Sequence, residues 1–268
     1  MPAEADTDTD TDSAHQPAAA PAPGEPADSY ATRFAARYDD WFGHAAPTED
    51  TVALLAQLAG PGPVLELGPG TGRVALPLAA RGLEVHGVEG SPAMAAELRS
   101  RPGGDRITLT MGDFTEVPVD GTYSLIYLAS GTFFEIPSQD AQLRCFEAAA
   151  RRLAPGGVFV FDALLPETLS APQSAAGWVL PTADGSLVVR HRQVDQATQR
   201  YASHYLITSE EQLHHVHVRF RYAGAGELDL MARLAGLRLR RRHGSWAGEP
   251  FRDGCAYHVS VYEHTDRP

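Results

Sequence analysis

The chain has 268 residues, of which 43% are hydrophobic, and a formal net charge of −12, which is typical of a globular protein with a sizeable core. This acidic balance argues against a long nucleic-acid partner, because phosphate neutralisation by a basic surface supplies most of that affinity. The two cysteines, Cys145 and Cys255, are too few for a disulfide framework and form no CxxC pair, so we expect no thiolate metal site.

The N-terminal segment is acidic and lacks the basic start and apolar core of a secretory signal. No stretch of the chain approaches the roughly 20 apolar residues that cross a bilayer. We therefore expect a cytoplasmic protein without a membrane partner. Residues 1–28 are rich in Ala, Pro, Asp and Thr, and such a composition buries too little surface to offset its ordering entropy, which predicts a disordered tail.

Two helices are predicted next. Aromatic residues recur at helical spacing through residues 29–42, with Ser29 as a candidate N-cap. Residues 47–59 form a second amphipathic pattern whose acidic first turn suits the helix dipole. We expect these helices to form an N-terminal lid over residues 29–60.

Strands and helices then alternate, starting at residue 61. The predicted strands are short apolar runs at residues 64–67, 84–89, 107–113, 123–130 and 158–165. A helical segment precedes the fifth strand and stops at Pro155–Gly156–Gly157. This alternation predicts an α/β fold with a parallel, Rossmann-like sheet covered by helices on both faces.

After Pro166 the pattern changes to longer, half-polar runs. They predict an antiparallel β insertion after the fifth strand, with one solvated face, whose strands cover residues 178–194, 199–208 and 213–222. A helix at 225–237 and strands at 237–242 and 256–264 close the chain. The predicted core therefore spans residues 61–170 and 223–268, and residues 171–222 form the insertion on the substrate side.

A glycine loop carries the predicted chemistry. The first strand runs into Glu66, Gly68, Gly70, Thr71 and Gly72, and such a loop lets the backbone approach a ligand while helix N–H groups point at it. A bare GxGxG pattern is weak evidence, but here it follows a strand and opens a helix.

Two acids end the next two strands. Glu89 is placed to accept hydrogen bonds from ribose hydroxyls, and Asp113 from an adenine amino group. Because both lie at the carboxyl ends of parallel strands, we expect them to meet the glycine loop at one ligand-binding edge.

The segments 64–72, 86–92, 109–114 and 153–157 resemble the successive motifs of class I S-adenosylmethionine-dependent methyltransferases. The resemblance implies that S-adenosylmethionine is the cofactor. It implies that the loop glycines hold its methionine and ribose, that Glu89 holds the ribose, and that the adenine lies among Met94, Asp113 and Phe114. The other residues that it implies at the cofactor are Glu66, Thr71, Gly90, Gly112, Ala129 and Ser130.

The N-terminal helices close over the cofactor in related enzymes, which makes Tyr30, Tyr38 and Trp41 further candidates, with simple helix packing as an equal alternative. A nicotinamide dehydrogenase is disfavoured because its GxGxxG fingerprint does not match GPGTG and the chain has no lysine for a Tyr-x-x-x-Lys pair. A non-catalytic cofactor-binding protein is disfavoured by the intact glycines and acids.

The acceptor is predicted from the regions after the fourth strand and near the C-terminus. Residues 129–134 lack the Asn/Asp-Pro-Pro-Tyr/Phe motif of enzymes that methylate base amines or glutamine amides. Residues 131–135, 227–237 and 244–251 resemble the cypemycin-type and daptide-type N-methyltransferases, which implies a primary amine of a ribosomally made peptide as the substrate. An N- or O-methyltransferase of a small metabolite or amino sugar is the alternative, and we expect a monomer or homodimer.

The candidate catalytic residues are aromatic and acidic. Phe133, Phe134, Trp246 and Tyr38 are candidates for an aromatic wall that favours methylated amines, with core packing as the alternative. The two candidates for orienting the amine are Glu135 and Asp162.

Five histidines fall on the strands of the predicted insertion, which are His191, His204, His214, His215 and His217. His215 and His217 share a face because side chains alternate along a strand. A metal site would need a third ligand and a supporting shell, so we expect exposed strand histidines and no metal.

Overall fold

The computed structural model describes residues 34–42, 48–170, 177–180, 182, 184–209 and 212–265. The predicted tail, Ser29 and Tyr30 lie outside the described residues. The helices within them are α1 (Tyr38–Phe42), α2 (Thr48–Leu58), α3 (Ala75–Ala80), α4 (Pro92–Ser100), α5 (Gln139–Arg152), α6 (Pro166–Ser170) and α7 (Ala225–Leu234). A 3₁₀ turn at Ala35–Arg37 precedes α1, so the described part of the predicted first helix is not one continuous α-helix.

The strands of the central sheet are β1 (Val64–Leu67), β2 (Val85–Glu89), β3 (Thr108–Met111), β4 (Tyr123–Leu128), β5 (Leu153–Leu164), β10 (Leu237–His243) and β11 (Tyr257–His264). Their order is β10-β11-β5-β4-β1-β2-β3, with β1 to β5 parallel and β11 antiparallel to both of its neighbours. Every residue of β1 and β4 is buried, because apolar clusters cover both faces of the sheet. The predicted Rossmann-like sheet is confirmed.

The fifth strand differs from its predicted start. The sequence pattern places it after Gly157, but β5 begins at Leu153, which pairs with Tyr123 and is buried. A Cβ on Gly157 would lie 2.8 Å from the carbonyl oxygen of Tyr123. The glycine thus permits a close approach of two strands rather than ending a helix, and a register shift follows between Tyr123 and Leu125.

A separate four-stranded antiparallel sheet has the order β6-β7-β8-β9. Its strands are β6 (Trp178–Leu180), β7 (Leu187–Asp195), β8 (Arg200–Ser209) and β9 (Gln212–Arg221). The antiparallel insertion is confirmed, but the prediction of one strand over 178–194 is wrong. That run folds back on itself with Gly185 at φ 77°, a left-handed conformation that suits a reversal, and Trp178 faces Arg190.

An apolar cluster joins the N-terminal helices to the four-stranded sheet. Phe34 and Trp41 pack there with Val188, Ile207 and Val216. In the part of the chain that the structure describes, no helix has the length and apolar character to cross a membrane.

Candidate active site

The glycine loop and the acid of the second strand are directly connected. Gly68, Gly70 and Gly72 have φ values of 78°, 56° and 86°, which favour glycine at each position. The backbone N–H of Gly70 donates to Oε2 of Glu89 at 2.8 Å, and that of Ser91 donates to Oε1 at 2.8 Å. A Cβ on Gly70 would meet nothing within 4 Å, so the loop borders open space beside this carboxylate.

The end of the third strand is hydrogen-bonded to the backbone of Glu89. The N–H of Gly112 donates to the carbonyl oxygen of Glu89 at 3.0 Å, and Asp113 follows directly. Oδ1 of Asp113 accepts from the N–H of Thr115 at 2.8 Å. The ring of Phe114 lies 3.8 Å from the position of a Cβ on Gly68. The glycine loop, Glu89 and Asp113 are therefore at one edge of the sheet.

Helix α4 completes this edge. Ser91 is its N-cap and accepts from the N–H of Met94 at 3.3 Å, with Pro92 at the first helical position. Met94 is buried. Gly90 lies between these elements, since a Cβ on it would be 3.6 Å from the carbonyl oxygen of Gly112.

The turn after β4 is held in an unusual conformation. Ser130 has φ 67°, a left-handed value that costs a non-glycine residue about 1–3 kcal/mol and often marks a functional site. Its Oγ accepts from Arg73, whose other nitrogen donates to Oγ1 of Thr48 at 2.7 Å. The carbonyl oxygen of Ala129 accepts from Thr132 at 2.7 Å. Arg73 thus ties this turn to α2.

Three further carboxyls lie around Arg73 and Glu89. Burial raises the pKa of Glu66 to about 7 even though it accepts a 2.8 Å hydrogen bond from Tyr127. Burial raises the pKa of Asp162 to about 6 although the N–H of Gly131 donates to it at 3.2 Å. Burial, followed by the charge of Glu89, raises the pKa of Glu135 to about 7. So many carboxyls favour a cationic ligand, which fits the sulfonium of S-adenosylmethionine.

Helix α1 contacts the glycine loop. Oδ1 of Asp39 accepts from the hydroxyl of Thr71 at 2.8 Å, and its other oxygen pairs with Arg101. Burial, and then the charge of Glu135, raises the pKa of the Tyr38 hydroxyl. The structure therefore brings Tyr38 to the site. Trp41 instead packs against the four-stranded sheet.

The predicted wall of four aromatic rings is not formed. Phe133 stacks on Phe161 with ring centroids 4.3 Å apart, and Phe134 belongs to the same buried cluster. Trp246 packs in the cluster on the opposite face of the sheet. It also borders a cavity of about 640 Å³ whose lining contains none of the predicted cofactor residues. The sheet thus separates Trp246 from the phenylalanines, which fill the core.

The strand histidines form a surface cluster. His204 pairs with His191 on one side and with His217 on the other, and the rings of His204 and His217 stack with centroids 5.3 Å apart. His215 Nε2 lies 3.2 Å from His204 Nδ1, whereas His214 packs on the opposite face beside Trp41. The shared face of His215 and His217 is confirmed. Among the described residues, no group of three His, Cys, Asp or Glu side chains is placed to hold a metal ion.

Sequence reasoning missed several residues of this site. Arg73 contacts Ser130, which is 57 positions away, and Asp39 contacts Arg101, which is 62 positions away. Neither pair has a recurring spacing. The position of Arg73 directly after the third glycine was the available signal, and Tyr127 was hidden in an apolar strand.

The glycine loop and two acids at one edge of this sheet define a class I methyltransferase with an adenosyl-cofactor site. The family of the methyltransferase domain matches residues 64–157. The cypemycin N-terminal methyltransferase of a Streptomyces species is 31% identical over 189 residues, which cover 70% of this chain and 77% of that protein.

Solved structures agree with this class. The CcbJ methyltransferase of Streptomyces caelestis matches with a TM-score of 0.81 and 36% identity, over 89% of this chain and 99% of that one. The sugar N-methyltransferase KedS8 of a Streptoalloteichus species matches at a TM-score of 0.63 and 21% identity, over 97% and 98% of the two chains, which supports the fold alone. The chain belongs to the S-adenosylmethionine-dependent methyltransferases.

Proposed function

We propose that this enzyme transfers methyl groups, once or twice, to a primary amine of a ribosomally made peptide. The observation that carries the proposal is Glu135, a carboxyl with a pKa of about 7 beside Tyr38. Among the described residues it has no ion-pair partner. A carboxyl of this kind suits an amine that arrives as a cation and must lose a proton before it reacts.

The chain's own residues position the reactants. S-adenosylmethionine supplies a methyl group that is already activated by its positive sulfur, so orientation and desolvation are the main tasks of the protein. Transfer forms a bond from the amine nitrogen to the methyl carbon and breaks the methyl–sulfur bond. Glu135 orients the amine and accepts its proton. Asp162, near the end of β5, accepts from the N–H of Gly131 and adds negative charge at the turn.

The peptide as acceptor is supported by the 31% identity to an enzyme whose name gives the N-terminus of cypemycin as its target. An amino sugar is the second candidate, since the sugar N-methyltransferase KedS8 has this fold along nearly its whole length. Both acceptors present a primary amine, so Glu135 serves either.

The experiment is an acceptor panel with S-adenosylmethionine, followed by mass spectrometry. It pairs short peptides that have a free N-terminus with their N-acetylated forms, and adds an amino sugar and its N-acetyl form. We expect gains of 14 and 28 mass units on the free peptide amine alone, with the product strongly reduced in Glu135→Gln. Product on the sugar alone would favour the second candidate, and cofactor binding without any product would contradict both.

A further inference from the structure

The inner face of the four-stranded sheet carries two arginines in its middle. Arg190 faces Trp178 on one side and Tyr205 on the other, and Arg192 faces the buried Ser203. Since side chains alternate along β7, the two arginines share one face.

Both ends of this face are apolar and packed. At one end Val188 and Ile207 pack against the N-terminal helices. At the other end Val194 and Tyr201 pack with the core of the central sheet. The arginines therefore lie between two packed apolar ends of this face.

These arginines have no anionic partner among the residues that the structure describes. The guanidinium carbon of Arg190 lies 4.9 Å from the ring centroid of Trp178, and that of Arg192 lies 5.6 Å from Trp178 and from Tyr201. The Nε of each is buried without a hydrogen-bond partner. Among the described residues no carboxylate pairs with either, whereas the inward Arg221 and Arg242 each have one.

Two adjacent, unpaired cations on a half-buried face are unfavourable in the free protein. Burial, and then the charge of Arg190, lowers the pKa of Arg192. A planar guanidinium presents paired N–H donors that match the two oxygens of a carboxylate or phosphate. The cation–π contacts with Trp178 and Tyr201 hold both guanidiniums on this face and use none of these N–H donors.

We propose that Arg190 and Arg192 bind an oxyanion of the acceptor, namely a carboxylate of the substrate, and so set the distance at which its amine meets Glu135. This inference deepens the proposed function and rests on it. Tyr201 and Tyr205 connect the arginines to the amine site. The charges of Arg192 and Glu135 both act on Tyr201. The ring centroid of Phe42 lies 5.0 Å from that of Tyr205 and 5.3 Å from that of Tyr38. The acceptor then carries an amine at one end and a carboxylate at the other.

The test is a titration of the full chain, saturated with S-adenosylhomocysteine, with N-acetylglycinate. N-acetylglycinamide is the neutral control, and inorganic phosphate is the probe for the other source of an oxyanion. Binding is followed by calorimetry and by the intrinsic tryptophan fluorescence, to which Trp178 beside both guanidiniums contributes. We expect saturable binding of the carboxylate and none of the amide. Tighter binding of phosphate than of the carboxylate would overturn the assignment to a carboxylate.

Matched variants make the test specific. Arg190→Gln and Arg192→Gln should each weaken carboxylate binding at least about tenfold. Arg192→Lys keeps the charge but loses the paired N–H donors, so its affinity should lie between those of the wild type and Arg192→Gln. Arg219→Gln removes the same charge from the exposed face of the same sheet and should change nothing. Equal affinity in the double variant Arg190→Gln/Arg192→Gln, or no binding by the wild type, would overturn the proposal.

Two further measurements separate misfolding and acceptor choice from this result. The Arg→Gln variants should bind S-adenosylhomocysteine normally and unfold at a higher temperature than the wild type in the absence of anion, because a like-charge repulsion is removed. The titration involves no methyl transfer, so it holds or fails independently of the acceptor panel.

Discussion

Replacing Glu89 tests the cofactor site most sharply. Its carboxylate accepts two backbone hydrogen bonds, each 2.8 Å long, from Gly70 and Ser91. In Glu89→Ala the buried N–H of Ser91 and the half-buried N–H of Gly70 lose their acceptor, and the ribose loses its own. A buried group left unsatisfied costs about 1–3 kcal/mol. Affinity for S-adenosylhomocysteine should therefore fall about 5- to 150-fold.

Isothermal titration calorimetry measures this change directly. Glu89→Gln keeps one acceptor oxygen and should lose less affinity than Glu89→Ala. Glu84→Gln is the matched control, since Glu84 is exposed just before the same strand and its carboxylate pairs with His86 at 3.1 Å, away from the glycine loop. Unchanged affinity in Glu89→Ala would refute the assignment of this edge to the cofactor.

Three further predictions concern the same site. Asp113→Ala should weaken S-adenosylhomocysteine binding by about 1–3 kcal/mol in the same calorimetric assay, and an unaltered binding constant would remove Asp113 from the adenine site. Tyr127→Phe removes the hydrogen bond from the Tyr127 hydroxyl to the buried Glu66 and should lower the free energy of unfolding by about 1–3 kcal/mol in urea titrations. An unfolding midpoint equal to that of the wild type would contradict a stabilising role for this bond. Burial raises the pKa of Glu66 and Glu135 from 4.5 to about 7, so the folded protein holds more protons than the unfolded chain between these values. The cofactor-free protein should lose stability as pH rises from about 5 to 7, while kcat/KM rises through pH 7 as Glu135 ionises. A flat profile of kcat/KM in the wild type would count against Glu135 as the proton acceptor.

The parallel sheet was predictable because its central strands β1 and β4 are buried on both faces and read as continuous apolar runs. The strand at Val64–Leu67 has the predicted bounds. The meeting of Gly70 and Glu89 was predictable for a second reason, since carboxyl ends of neighbouring parallel strands share one edge. These are local patterns combined with a rule of topology.

The remaining features depend on distant contacts. The run at 178–194 has the same half-polar alternation on both sides of Gly185, so the sequence pattern does not show its reversal. The reversal is defined by the pairing of Trp178 with Arg190. The aromatic wall failed because ring type does not tell which face of the sheet a side chain covers, and Phe133 and Trp246 lie on opposite faces. The surroundings of Arg192 on β7 are formed together with β6 and β8, which carry Trp178 and Tyr201.

A crystal structure of the full chain with S-adenosylhomocysteine tests the central claim most directly. We predict that the ribose hydroxyls lie on the carboxylate of Glu89, the adenine beside Asp113 and Phe114, and the sulfur close to the turn at Ser130. Binding of S-adenosylhomocysteine in any other cleft, without contacts to Gly70 and Glu89, would contradict this assignment of the cofactor site.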